Sequence, residues 1–292
     1  MQKIRDAVRV ALAEDVAFGD ATTATLFPNP FGARGTIVAH QPLIVAGMAV
    51  AREVFAQIDP AVRVVRAADD GSKADKNTTV LVVEGEAHSL LMAERVALNF
   101  LQRLSGIATL TARFCEMAKG YPTRILDTRK TTPGLRALEK WAVRLGGGMN
   151  HRHSLGDGIL IKDNHLTLLR AQGHSVADAC HLARERGPHG LRIIVEAHSL
   201  ADVRDAVTGD ADVILLDNMT PAQVRQAVTI IKGRALVEVS GGITLDIAGE
   251  MAAAGADYLS IGALTHSAPA ANLSMDIVAT RRSRKPGGAT KP

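Results

Sequence analysis

The chain has 292 residues, 47% of them hydrophobic and 22% charged, a balance typical of proteins that bury a large core and one that excludes disorder as the main state. The formal charge of +4 traces to the carboxyl-terminal stretch RRSRKPGGATKP, which holds five of the 34 basic residues and none of the 30 acidic ones, so the body is close to neutral. With aromatics at 3%, the stacking platforms of a single-strand nucleic-acid binder are scarce, and no apolar run has the length to span a bilayer.

The opening MQKIRDAVRVALAEDVAFGD predicts a helix near residues 2–13 and meets Glu14 and Asp15 before any signal-peptide core of useful length. RGTIVAHQPLIVAG, VRVVRAAD and TTVLVVEG read as strands, followed by an Ala/Leu-rich helix at about 88–104. Residues 1–112 are therefore expected to form an α/β layer of their own. From residue 113 the pattern changes to short β-branched or Leu-rich runs: RILDTRK (124–130), GILIKDN (158–164), LRIIVEA (191–197), DVILLDN (212–218), ALVEVSG (235–241) and DYLSIGA (257–263). Between them lie helical stretches such as PGLRALEKWAVRLG, SLADVRDAVTGD, TPAQVRQAVTIIKG and TLDIAGEMAAAGA. Apolar strands alternating with amphipathic helices predict a parallel sheet covered by helices over 113–269. Cys115 and Cys180 have no CxxC or Cys/His spacing and read as free thiols of a reducing, cytoplasmic compartment. The tail 281–292 reads as a solvated, disordered end.

In each run the polar chemistry sits at the carboxyl end: Thr128, Arg129 and Lys130, then Lys162, Glu196, Asp217, Ser240 and Gly262. A barrel gathers such ends on one face, whereas an open doubly wound sheet would concentrate them at one crevice. Six runs are fewer than eight, so a barrel is either incomplete or includes weaker strands. Arg129, Lys130, Arg152 and Lys162, with His151 nearby, would then converge, and so many cations in one mouth repel one another unless an anion compensates. Glu196 and Asp217 suit ribose hydroxyls or a divalent cation, although a carboxylate pair also compensates a basic cluster without any metal. The small residues of SGGITLD (240–246) and SIGALTHSA (260–268) offer backbone N–H groups to a phosphate. Gly146 reads as a helix stop, with Gly147 and Gly148 open to close ligand approach. The residues alone thus describe a barrel enzyme that binds a phosphorylated sugar beside an anionic small molecule, with Mg²⁺ left open.

TRKTTPGLRALEKWAVRLGGGMNHR, LGDGILIKDNH, ILLDN, VEVSGGI and YLSIGALTHS, preceded by EDVAFGDATT and ERVALNFLQRLSGIAT, together resemble the quinolinate phosphoribosyltransferase family over roughly residues 10–278. The resemblance implies an amino-terminal α/β sandwich (1–112, with 270–280 packing back on it) followed by an incomplete α/β barrel (113–269). It implies phosphoribosyl transfer from phosphoribosyl pyrophosphate to quinolinate with decarboxylation, in NAD biosynthesis, and Mg²⁺ as cofactor. It also implies a homodimer, or a higher assembly of dimers, in which Arg103 enters the neighbouring subunit's site. Residue by residue, it assigns the quinolinate carboxylates to Arg129, His151, Arg152 and Lys162, with Thr128 and Lys130 beside them. Glu196 and Asp217 go to the ribose hydroxyls and Mg²⁺. Ser240, Gly241, Gly242, Ile261, Gly262 and Ala263 go to the phosphate, with His266 alongside. Lys130, Lys162, Glu196 and Asp217 are the residues expected to carry the catalysis. One departure is Ile194, a position often acidic in the family.

Overall fold

The computed structural model describes residues 2–280, so the tail 281–292 lies outside the described residues. The chain begins with α1 (Gln2–Asp15), α2 (Ala21–Leu26), β1 (Gly32–Ala39), β2 (Leu43–Ile44), α3 (Met48–Ile58), β3 (Arg63–Ala67), β4 (Lys73–Ala74), β5 (Thr79–Glu86) and the long α4 (Ala87–Met117). It continues with β6 (Arg124–Leu126), α5 (Arg136–Leu145), β7 (Ile159–Ile161), α6 (Asp163–Arg170), α7 (Val176–Arg186), β8 (Ile193–Ala197) and α8 (Leu200–Thr208). The last elements are β9 (Val213–Asp217), α9 (Pro221–Ile231), β10 (Leu236–Ser240), α10 (Leu245–Ala253), β11 (Tyr258–Ser260), α11 (Ala263–His266) and β12 (Leu273–Ala279). The described residues form two compact units: 2–109 with 269–280, and Leu110–Ala268.

The first unit is built on an antiparallel sheet of order β12-β1-β5-β3. Burial along β1 alternates, as expected of a strand with one face on a core and one on solvent. Ile37, Leu81 and Val83 from the sheet and Val50, Val54 and Phe55 from α3 are almost fully buried. The helix expected at about 88–104 runs on to Met117. Gly106 does not stop it, because that glycine serves packing: a Cβ there would lie 2.1 Å from the carbonyl oxygen of Pro269. The helix accepts a propensity loss of about 1 kcal/mol to let that segment lie against it.

The second unit is an all-parallel sheet of order β6-β11-β10-β9-β8-β7, with helices between successive strands, as in an α/β barrel. The first strand in sequence pairs with the last while the second lies at the far edge, so the sheet winds round and leaves β6 and β7 as its edges. Beyond β6 a single bridge, Leu126 to Met149, continues the sheet among the described residues without forming a strand. Val195, Ile214, Leu216, Val239 and Leu259 are fully buried, which explains why the runs read as continuous apolar stretches. The helices start cleanly. Ser175, Ser199 and Thr220 accept the N3 backbone N–H of α7, α8 and α9, and Pro221 occupies the first turn of α9.

The register levels the strand ends. Asp217 lies opposite Ser240, Ser240 opposite Ser260, and Ser260 opposite Leu126. Two residues earlier, Leu215 pairs with both Glu196 and Glu238. Because side chains alternate along a strand, the residues of these two rows that share a face line one wall at two depths.

Candidate active site

The end of β6 continues into Asp127, Thr128, Arg129 and Lys130, and this turn is anchored from below. Asp127 is fully buried; it accepts Asn150 Nδ2 at 2.6 Å, the His151 backbone N–H at 2.9 Å, and the ammonium of Lys140. Lys140, equally buried, also donates to the His151 carbonyl oxygen at 2.9 Å. Burial pushes the Asp127 carboxyl up and the Lys140 ammonium down, and their hydrogen bond and mutual attraction oppose both shifts. This buried pair fixes the loop that carries His151 and Arg152. Gly147 and Gly148 take no part in the mouth: a Cβ on Gly148 would lie 2.8 Å from side-chain carbons of Thr111 and Val143, so the close approach there is by core packing.

Above the pair, Arg152 Nη1 donates to the Gly158 carbonyl oxygen at 2.9 Å. Burial, and then the nearby Arg129 guanidinium, hold Arg152 below the usual arginine range, with Asp157 and Glu196 pulling the other way. Arg129 Nε is buried and has no hydrogen-bond partner among the described residues. Two guanidiniums close enough to disfavour each other, one with a buried donor unused, form a site prepared for an anion.

Opposite lie the acids. Lys162 Nζ meets Glu196 Oε1 at 2.5 Å, and the Asp163 backbone N–H meets Glu196 Oε2 at 3.1 Å. Asp217 Oδ2 accepts Asn218 Nδ2 at 2.8 Å, and His198 Nδ1 stands 3.7 Å from it. Asn218 takes a left-handed backbone, φ 55°, and presses on the loop after β10: a Cβ on Gly241, itself at φ 88°, would lie 2.3 Å from Asn218 Oδ1. Only glycine satisfies both constraints there, which leaves Ser240, Gly241 and Gly242 with exposed backbone next to Asp217.

These groups enclose a cavity of about 600 Å³ lined by Thr128, Arg129, Lys130, His151, Arg152, Lys162, Glu196, Asp217, Ser240, Gly241 and Gly242. Quinolinate phosphoribosyl transferase domain models match both parts of the chain, the amino-terminal domain over residues 20–105 and the carboxyl-terminal domain over residues 107–276. The chain belongs to the quinolinate phosphoribosyltransferase family. It is 41% identical over 270 residues to a probable nicotinate-nucleotide pyrophosphorylase (carboxylating) of Bacillus subtilis, covering 92% of each chain. It is 40% identical over 279 residues to the nicotinate-nucleotide pyrophosphorylase (carboxylating) of Mycobacterium leprae, covering 94% of this chain and 96% of that one. The crystal structure of NadC from Streptococcus pyogenes superposes with a TM-score of 0.89 at 39% identity, over 95% of this chain and 97% of that one.

For this family member the remaining expected site residues sit apart from the cavity wall. Ile261 is buried, and its backbone N–H donates to the Leu126 carbonyl oxygen, so neither its side chain nor its N–H is offered to a phosphate. Gly262 is packed close: a Cβ there would lie 3.0 Å from both Lys130 Cδ and His266 Nε2. Ala263 and His266 belong to the short α11, where His266 Nδ1 is 2.6 Å from Ser267 Oγ. Arg103 lies on α4 in the first unit. Conversely, Glu238, Asn218 and His198 line the cavity without having been singled out from the sequence, and Ser260 lines it as the first residue of SIGALTHSA. Glu238 and Ser240 are two apart on one strand, a period-2 signal that was there to be read.

The carboxylates can be tested against a divalent cation. Among the described residues no group of three or more His, Cys, Asp or Glu could hold a metal ion. Both Glu196 oxygens have donors, so a protein-only cage does not fit. A hard cation that keeps its waters and takes most of its ligands from substrate oxygens needs only one or two carboxylates, and Asp217 with Glu196 fits that demand. Ile194, the departure on β8, lines a smaller cavity beside this one, not the wall next to Asp217.

Proposed function

We propose that the cavity binds quinolinate beside phosphoribosyl pyrophosphate and transfers the phosphoribosyl group to the pyridine nitrogen with loss of CO₂, giving nicotinate mononucleotide and pyrophosphate for NAD synthesis. The observation that carries this reading is the crowding of Arg129 against Arg152, with the buried Arg129 Nε lacking a partner, opposite carboxylates at the ends of β8 and β9.

Arg129 and Arg152, with Lys162, pair with the two carboxylates of quinolinate and hold its ring nitrogen toward the sugar. Lys130 completes this cationic wall. Glu196 and Asp217 orient the ribose hydroxyls, and the Ser240–Gly242 loop takes the 5′-phosphate on backbone N–H groups. Bound at Asp217 and Glu196, Mg²⁺ would neutralise charge on the departing pyrophosphate. The nitrogen lone pair forms the new bond to the anomeric carbon as the carbon–oxygen bond to pyrophosphate breaks, its electron pair leaving with pyrophosphate. The ring nitrogen is then a cationic electron sink. The adjacent carboxylate departs as CO₂, its bonding pair stays on the ring carbon, and a solvent proton replaces it. No side chain acts as a nucleophile: positioning and charge stabilisation supply the rate.

Given quinolinate, phosphoribosyl pyrophosphate and Mg²⁺, the purified protein should release pyrophosphate and CO₂ in equal amounts. Turnover of nicotinate but not of quinolinate would overturn the reading.

The shared site is a separate part of the proposal. Arg103 completes the carboxylate pocket of a second copy in a homodimer, the arrangement that family membership supports. Arg103→Ala and Lys162→Met chains, each poorly active alone, should regain activity when mixed and exchanged, because one of the two sites in each heterodimer is intact. Exchange shown by native mass spectrometry without a rise in activity sinks the shared site.

Both cysteines are free, and burial pushes the Cys180 thiol up to about 11. Two free thiols are the state that a reducing, cytoplasmic compartment would leave in place. Among the described residues no helix is long and apolar enough to cross a membrane.

A further inference from the structure

One buried carboxylate at the floor of the cavity has no part in the chemistry above. Glu238 lies on β10 in register with Leu215 and Tyr258, one side-chain row beneath Asp217, Ser240 and Ser260. It is 1% exposed yet contributes to the cavity wall. Its Oε1 accepts the hydroxyl of Ser260 and lies 3.4 Å from His151 Nε2. The other ring nitrogen of His151, Nδ1, accepts the backbone N–H of Arg152 at 2.7 Å. A nitrogen that accepts an N–H carries no proton of its own, so the proton of the neutral imidazole sits on Nε2 and faces Glu238. The backbone on either side of the ring is already fixed, since the N–H of His151 donates to Asp127 and its carbonyl oxygen accepts from Lys140.

We propose that Glu238 is a positioning residue: it accepts the Nε2–H of His151, locks that tautomer and ring plane, and so shapes the wall on which the pyridine dicarboxylate rests. His151 then meets the substrate with its ring held in one orientation. Ser260 hydrogen-bonds Glu238, joining β11 to β10, and the 3.4 Å approach of Glu238 to His151 brings β10 against the loop that also carries Arg152. The inference rests on the quinolinate site proposed above, and its test separates the two.

In ¹⁵N-histidine-labelled parent protein, the His151 ring, assigned by its loss in His151→Gln, should report a bare Nδ1 and a protonated Nε2, a reading independent of any turnover. Glu238→Ala should shift that signature and raise KM for quinolinate by roughly 10- to 100-fold, the loss expected for one hydrogen bond to a charged group. KM for phosphoribosyl pyrophosphate should hold. Glu238→Gln keeps an acceptor oxygen and should retain both the tautomer and most of the quinolinate affinity; it also stands in if the alanine variant does not fold. A protonated Nδ1 in the parent overturns the proposal, as does a folded Glu238→Ala protein with the parent's KM for quinolinate. A parent with the expected tautomer and no quinolinate turnover would instead sink the function reading and leave the Glu238–His151 contact standing.

Discussion

Lys140→Ala should destabilise the parallel-sheet unit by about 3–5 kcal/mol, more than any substitution in the cavity wall. Removing one member of a buried pair strands the other: Asp127, fully buried, would keep only Asn150 and the His151 backbone N–H against a charge with no counter-ion. The His151 carbonyl oxygen would lose its buried donor as well. For a unit of this size the thermal midpoint should fall by roughly 10 °C, measured by circular dichroism on the whole chain. Asp127→Leu combined with Lys140→Leu should recover part of the loss, because replacing both charges by apolar groups removes the desolvation cost that remains when only one goes. A Lys140→Ala midpoint within about 2 °C of the parent would show that the pair contributes little. The same variant should lose quinolinate turnover well below its own midpoint, since the loop bearing His151 and Arg152 hangs on that ammonium.

Lys140 also shows where the sequence stops being readable. Within RALEKWAVRL the residues Glu139 and Lys140 look like the solvated face of an amphipathic helix, and the structure buries both completely. Their partners, Thr132 for Glu139 and Asp127 for Lys140, come from the turn before α5 and the end of β6. Periodicity reports which residues share a face; it carries no information on what a neighbouring element brings to that face. The strand runs could be read because every residue in them answers to one demand, burial on both sides of a parallel sheet. Their carboxyl ends could be read because parallel strands with helices between them put those ends on one side. Glu196, Asp217 and Ser240 accordingly line the cavity, and so do Arg129, Lys130 and Lys162. The segment after β11 was harder, because a strand end followed by Gly also fits a close-packed turn, and the turn holds Gly262 against Lys130 and His266. The edge segment at Met149 was hidden for another reason: a single bridge to Leu126 makes no apolar run.

Lys162→Met should cut kcat/KM for quinolinate by roughly 10²- to 10³-fold while leaving the fold intact, since the Lys162 side chain is 45% exposed. Two effects add. The substrate loses a cation for one carboxylate, and Glu196, 6% exposed, loses its counter-ion beside the place a dianion must occupy. Like charges 4 Å apart repel by about 1 kcal/mol in bulk water and about 4 kcal/mol at an effective dielectric of about 20; at a mouth where Lys162 is 45% exposed the second effect lies toward the lower figure, roughly tenfold. Calorimetric titration with quinolinate alone, without the sugar phosphate, separates them. Adding Glu196→Gln to Lys162→Met should restore roughly tenfold in affinity by removing the stranded charge, whereas Glu196→Gln in the parent should change quinolinate binding far less. Lys162→Arg, which keeps the charge but moves its centre and spreads it over a plane, should fall between parent and Met. If Lys162→Met binds quinolinate as the parent does, Lys162 is a partner for Glu196 and nothing more, and the carboxylate pocket reduces to Arg129 and Arg152.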